Sequence, residues 1–357
     1  MAAREEIRAL TALRGLAAMA VVMQHFSATA QQHAARSIPS LVPHGYMAVD
    51  FFFVLSGFIM CYTYASRFEA GQPGAYRDFL ARRVARVVPL NIAVLLAIVA
   101  GGALSTALLG RNILVNSSNL WFDLPVNLLM LQGLGIGTNL NGPSWSISTE
   151  FAAYLCFPVL VALCFHRAMT VRVLVGAIAV AGIVGLALQR ERLTIGGENG
   201  VPALVRCFTE FVLGMLAYAV WRSGRAVALG SDLAVALLLG AVAISLGLRI
   251  DLPAALLFPF VVLACAHNRG RAAAWLGSAV PYFLGVVSYA LYLIHDMFRA
   301  PLLLALKAVH PAPLETLPAL GAALVGSLLV IPFAWLCYHG IERPGRDATR
   351  RLFGSAR

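Results

Sequence analysis

The chain has 357 residues, of which 60% are hydrophobic and only 12% charged, about half the charged content of an ordinary soluble domain. A mean hydropathy of +0.80 gives more apolar surface than one water-facing core can hide, so a soluble globular fold is excluded and lipid is the expected solvent. The net charge of +11 fits a nucleic-acid binder only in the abstract. The charges sit in short stretches between apolar runs, which reads as basic cytoplasmic loops with no nucleic-acid partner.

Stretches near the 20 or so residues needed to cross a bilayer as a helix fall at about 8–30, 46–66, 87–109, 145–165, 172–189, 201–221, 232–248, 252–267, 281–306 and 317–341. They predict an all-α polytopic membrane protein of about ten transmembrane helices. A shorter apolar piece, 121–134, contains Pro125 and runs into the glycine-rich GLGIGTNLNGPS. It predicts one re-entrant or interfacial segment near 121–144.

Basic residues orient the chain. With the N-terminus in the cytoplasm, 18 of the 27 lysines and arginines, Arg4 and Arg357 among them, fall inside and 6 outside, while Arg14, Arg206 and Arg299 lie within spans. This bias places both termini in the cytoplasm. Counting 121–134 as a full span weakens it. Ala28-Thr29-Ala30 resembles a signal-peptidase site, but Arg14 and His25 interrupt the apolar run before it, so no cleavage is expected. The expected organisation is one membrane domain over 7–345 and a short basic cytoplasmic tail over 346–357. The six cysteines, Cys61, Cys156, Cys164, Cys207, Cys265 and Cys337, fall in or beside apolar segments without ligand-like clustering, so neither a metal site nor a disulfide framework is expected.

Ionisable residues inside spans are costly and are candidates for function. Arg14 and His25 on the first span are 11 residues apart, about 20° beyond three full turns, so they share one face with a rise of about 16 Å between them. A cation and a titratable imidazole on one stripe suit a polar channel, with His25 as a base for an incoming hydroxyl. Asp50 opens the apolar run DFFFVLSGF and reads as a cap of the second span at the outer surface. In the loop entering the third span, Arg82, Arg83 and Arg86 cluster on the cytoplasmic side. Arg83 and Arg86 are i, i+3 neighbours whose forked donors suit phosphate. Trp145 and Ser146 begin the fourth span, with the tryptophan at the interface. Glu150 lies one turn deeper, with hydroxyls at Ser146, Ser148 and Thr149 as partners and a role beside His25 or at the acceptor. Arg206 and Glu210, at i, i+4, are expected to neutralise each other, as are Asp296 and Arg299 at i, i+3. His295 reads as a cavity-lining or buried structural histidine.

Together these residues resemble the acyltransferase family 3, whose members acylate sugars of bacterial surface polysaccharides and related molecules. LRGLAAMAVVMQHF, with Arg14 and His25, is similar to its opening segment, and MAVDFFFVLSGFIM to its second. FLARRVARVVPL resembles the family's arginine pair at Arg83 and Arg86. PSWSISTEFAAYLCFP resembles its Trp-Ser-x-Ser-x-Glu block, and LGVVSYALYLIH and YHGIERP, which holds Glu342, its closing segments. The sequence departs at Asp296, where an apolar or aromatic residue is usual, and at Thr149, usually valine. The resemblance implies an O-acyltransferase of the bacterial inner membrane with no bound cofactor. Acyl-CoA, acetyl-CoA first, is the co-substrate. The implied acceptor is a glycan or lipid-linked sugar, and membrane lipid surrounds the protein. It further implies acyl-CoA binding by Arg14, Arg83 and Arg86, and catalysis by His25 with Glu150. Asp50, Trp145, Ser146, His295 and Glu342 are implied as acceptor or structural residues. Some members carry a fused hydrolase-like domain. Without one, the expectation is direct acylation of the glycan or a separate periplasmic partner that completes transfer.

A transporter also places polar residues at mid-membrane, but often shows inverted repeats, and no internal duplication is visible. A lipid-sugar glycosyltransferase would place acids in outer loops, where only Asp123, Glu191, Glu198, Asp251 and Glu315 are found.

Overall fold

The computed structural model describes residues 5–197 and 199–352. Arg4, Arg357, Glu198 and the end of the basic tail lie outside the described residues. The regular structure among the described residues is helical, apart from an isolated bridge pairing Ala34 with Leu314. The helices are α1 (Arg8–Gln31), α2 (Ala48–Glu69), α3 (Ala75–Leu109), α4 (Leu120–Leu128), α5 (Ser144–Leu155), α6 (Phe157–Cys164), α7 (Met169–Leu188), α8 (Gly200–Arg222), α9 (Asp232–Gly247), α10 (Asp251–His267), α11 (Arg271–Leu276), α12 (Ala279–Ile294), α13 (Arg299–Val309), α14 (Thr316–Cys337) and α15 (Arg343–Leu352).

Among the described residues, seven helical stretches are long and apolar enough to cross a membrane, and the bent pair α5–α6 would make an eighth if it is one broken span. Each of the ten apolar runs has a helical counterpart, but α9 and α10 have only 16 and 17 residues. At 1.5 Å per residue they fall short of the roughly 30 Å hydrocarbon core. The α5–α6 run is not one straight helix. It bends by 65° at Cys156, just before Pro158, whose ring removes an amide donor and crowds the preceding turn.

Two further corrections concern local structure. Arg82, Arg83 and Arg86 are not on a loop. They lie on α3, whose 35 residues exceed what the bilayer core requires, so the arginines ride on a helical extension ahead of its apolar part. The start of the basic tail is not extended chain but continues a helix over Arg343–Leu352, which follows a π-helical turn at Tyr338–Glu342.

The chain forms two compact units. The first comprises residues 1–17, 46–80 and 149–286, and its centre is the pairing of α2 with α8. Gly57 abuts the Phe211 carbonyl and Gly214 abuts the Val54 carbonyl, leaving no room for a Cβ on either glycine. This is the close approach that small residues permit between helices in lipid. One end of the pair is tied by Asp50 and Arg206, the other by Glu69 and Arg222. Start meets start and end meets end, so the helices run parallel. Phe79, Phe157, Tyr154 and Phe211 pack beside them through stacked and edge-on contacts.

The second unit comprises residues 18–45, 81–148 and 287–357. Its irregular part, 117–148, is knitted by side chains. Asn127 donates to the carbonyls of Asp123 and Thr138 and accepts from the Leu140 amide. Gln132 donates to Ser144, and Ser148 joins the Met130 carbonyl to the Gly133 amide. These amides and hydroxyls satisfy backbone that has left the helical ladder, the condition for irregular chain at membrane depth. The nine-residue α4 within it is too short to cross and exposes 92% of Trp121, consistent with the interfacial expectation.

Candidate active site

His25 and His295 meet in the second unit. Nδ1 of His25 lies 2.8 Å from Nε2 of His295, and Nδ1 of His295 lies 2.7 Å from the Tyr292 carbonyl oxygen. A carbonyl oxygen only accepts, so His295 Nδ1 carries the proton in that bond. In the neutral ring its Nε2 is then a lone pair, and His25 Nδ1 must donate to it. The network therefore assigns the remaining lone pair to His25 Nε2, the atom available to take a proton. His295 is wholly buried and His25 half-buried.

The elements around the pair explain its rigidity. Tyr292 and His295 are one turn apart at the end of α12, where the helix tightens into a 3-10 turn over His295–Phe298. The Tyr292 hydroxyl bonds Ser146 at 2.8 Å and donates to the Pro143 carbonyl at 3.1 Å. Asn141 donates to the Leu293 carbonyl. The Ser146 block thus fixes Tyr292, Tyr292 orients His295, and His295 orients His25. One turn further on, Thr29 donates to the His25 carbonyl, Arg299 Nε donates to Thr29, and Arg299 Nη1 donates to Asp296 at 2.6 Å. The expected Asp296–Arg299 pair is present.

The arginines of α3 lie in the same unit. Arg86 is 3.6 Å from the buried carboxylate of Glu342 and its guanidinium sits 6.0 Å from the Tyr289 ring centre. Arg83 precedes it at i−3 on the same helix. Gly345 packs on Pro89, which brings the start of α15 to this region of α3.

Other expected site residues fall in the first unit. Arg14 donates to the Gly285 carbonyl at 2.9 Å, beside a close approach of Gly15 and Gly285. Glu150 accepts from the Tyr154 hydroxyl at 2.5 Å. Two of the three hydroxyls expected to serve Glu150 bond elsewhere, Ser146 to Tyr292 and Ser148 to Met130. Asp50 is not a surface cap. It lies within the first turn of α2, is fully buried, and accepts from Arg206 on both carboxylate oxygens. Arg206 is therefore neutralised by Asp50 rather than by Glu210, which is buried beside them. Asp251, read as a loop acid, is buried and holds the Tyr46 hydroxyl and the Ile195 amide. Trp145, in the second unit and expected at the interface, is buried.

The sequence reading missed Tyr292 and Thr29. The only local hint was their spacing, Tyr292 one turn before His295 and Thr29 one turn after His25.

A histidine held in one tautomer, amid buried polar residues of apolar helices, is the equipment of proton transfer at a membrane-embedded site. The acyltransferase domain family matches residues 7–339. The chain belongs to acyltransferase family 3. It is an O-acyltransferase enzyme built on a multi-pass membrane scaffold. The acyltransferase is 31% identical over 318 residues to acyltransferase MdmB of Streptomyces mycarofaciens, a match covering 81% of this chain and 78% of that protein. It is 33% identical over 156 residues to protein 2 of the picA locus of Rhizobium radiobacter, covering 40% of this chain and 75% of that one. It is 25% identical over 162 residues to the peptidoglycan O-acetyltransferase OatA of Listeria monocytogenes, covering 43% of this chain and 24% of that protein. No solved structure is significantly similar to it.

Proposed function

We propose that this enzyme moves an acyl group, acetyl first, from cytoplasmic acyl-CoA to a hydroxyl of a glycan. The acceptor is exopolysaccharide, lipopolysaccharide or a lipid-linked sugar, and the enzyme works in the bacterial inner membrane. The observation that carries this reading is the free lone pair on His25 Nε2, fixed by the His25–His295–Tyr292 chain. His25 takes the proton of the acceptor hydroxyl while its oxygen attacks the thioester carbonyl carbon. The new C–O bond forms, the C–S bond breaks, and the proton passes from His25 to the departing CoA sulfur. Arg83 and Arg86 hold the nucleotide phosphates, Arg14 faces the pantetheine arm, and Glu150 assists on the acceptor side.

The proposed topology keeps both termini in the cytoplasm, with 7–345 as one catalytic membrane domain. The parallel run of α2 and α8 supports the number of crossings it assigns between those two helices, because parallel helices need an odd number of crossings between them. The run α3, α5–α6 and α7 supplies three, with the 121–144 segment not crossing. The acceptor is acylated directly or through a separate periplasmic partner.

The test uses sealed inverted membrane vesicles, cytoplasmic face outward, with radiolabelled acetyl-CoA and native glycan. Label in the lipid and glycan fractions that disappears in a folded His25→Ala protein is the expected result. Equal labelling by the two proteins overturns the mechanism. No label with acetyl-CoA, succinyl-CoA or longer acyl-CoAs moves the reading to a transporter.

A further inference from the structure

A cavity of about 230 Å³ opens in the second unit one turn beyond His25 on α1. Thr29, Gln32, Asp296 and Arg299 form its polar wall, and Ile98, Leu140 and Leu303 are prominent in its apolar wall. Asp296 follows His295 in the chain, and Thr29, which lines the cavity, donates to the His25 carbonyl at 2.9 Å. The cavity therefore adjoins the proposed base.

The polar wall is built rather than incidental. Asp296 receives Arg299 Nη1 on one oxygen and the Gly142 amide on the other. A Cβ on Gly142 would stand 2.9 Å from that carboxylate, so a glycine is what lets the irregular segment close on it. Arg299 Nε is spent on Thr29, while its Nη2 makes no hydrogen bond among the described residues. The carboxylate and the guanidinium cancel each other's charge. An added carboxylate or phosphate would shed its water at a site with no net positive charge left to compensate it, whereas a hydroxyl can accept from Arg299 Nη2 and donate to a carboxylate lone pair at once. The facing aliphatic side chains suit the C–H face of a ring. The volume lies below the roughly 300–1,000 Å³ of pockets for drug-sized ligands, which limits the occupant to about one ring.

We infer that this cavity is the acceptor subsite and that the Asp296–Arg299 pair selects an uncharged, hydroxyl-bearing sugar ring over an acidic one. The inference rests on the acyl-transfer reading for its purpose, but binding tests it without turnover. The enzyme in lipid nanodiscs is titrated with phenyl glycosides of glucose, galactose, mannose and rhamnose, and with phenyl glucuronide and galacturonide, by saturation-transfer NMR. At least one neutral glycoside is expected to bind at least tenfold more tightly than either uronide. Asp296→Asn should weaken the neutral ligand about tenfold and narrow or reverse the preference, because Arg299 is then uncompensated. Leu303→Trp, which fills the cavity without touching the ion pair, should abolish binding in a protein whose thermal melt is unchanged. No binding by any neutral glycoside, equal affinity for the uronides, or unchanged affinity in both variants overturns the inference. Acetyl transfer from acetyl-CoA, measured in the same nanodiscs, reports separately on the acyl-transfer reading.

Discussion

His25 and His295, 270 residues apart in the chain, share a 2.8 Å hydrogen bond between Nδ1 and Nε2. The Tyr292 carbonyl fixes which of the two donates. In the proposed mechanism, a base whose second nitrogen is already committed needs no tautomer search before reaction, and positioned bases contribute about 10²- to 10⁴-fold to rate.

The first prediction tests that orienting role. His295→Phe keeps the ring and removes the acceptor, so kcat should fall about a hundredfold, with KM for acetyl-CoA unchanged. His295→Gln restores an acceptor oxygen toward His25 and should recover part of kcat. A 15N NMR spectrum of histidine-labelled enzyme should show His25 protonated at Nδ1 in the native protein and a mixture in His295→Phe. Equal kcat in Phe and Gln variants would reduce His295 to packing.

Arg86 faces Glu342 across 3.6 Å. Arg86→Ala should raise KM for acyl-CoA about tenfold with kcat little changed, since one charge-assisted phosphate contact is lost. Glu342→Gln releases the guanidinium from its competitor and should lower that KM if the protein folds. Isothermal titration with desulfo-CoA, which cannot react, separates binding from turnover.

The buried Asp50–Arg206 pair ties the start of α2 to the start of α8. Removing one partner leaves an uncompensated buried charge, so Arg206→Ala should cost about 3–5 kcal/mol. The double variant Asp50→Asn, Arg206→Gln should lose less than either single truncation. Unfolding in mixed micelles reads the difference.

Gly57→Ala drives a methyl into the Phe211 carbonyl and Gly214→Ala does the same at Val54. Overpacking of this kind costs about 1–3 kcal/mol. Gly240, with open space around it, is the control, and its alanine variant should melt at the native temperature or above.

Asp123 anchors the irregular segment by accepting from the Ser117 hydroxyl and the Thr138 amide, and these bonds hold its carboxyl below the ordinary 3.8. A depressed folded value means that this contribution is present above the ordinary carboxylate value and fades as pH falls through the depressed one. Amide exchange over 117–140, corrected for its intrinsic pH dependence, should keep its protection down to about pH 4 and lose it as pH falls further below the ordinary carboxylate value in the native enzyme. In Asp123→Asn it should start low and stay flat.

Much of the fold was legible because its signals are local. Runs of apolar residues must be helical in lipid, since only an internally bonded backbone survives there. The broken piece after α3 announced itself through Pro125 and a glycine-rich run. What misled was also local. Asp50 at a span's first turn looks like a cap, and Arg206 four residues before Glu210 looks like a self-contained pair. Each reading weighed the neighbour in sequence, whereas the bidentate Asp50–Arg206 contact joins residues 156 positions apart.

The sequence by itself determined that this is an all-helical membrane enzyme of a known family, and it singled out Arg14, His25, Arg83, Arg86 and Glu150, because hydropathy and motif spacing are properties of contiguous residues. Only the tertiary structure decided that His295 is the partner of His25, that Tyr292 sets their tautomers, and that Asp296 and Arg299 wall a cavity beside them. A hydrogen bond of 2.8 Å depends on the rotation and depth of two packed helices, and no periodicity within either helix encodes both.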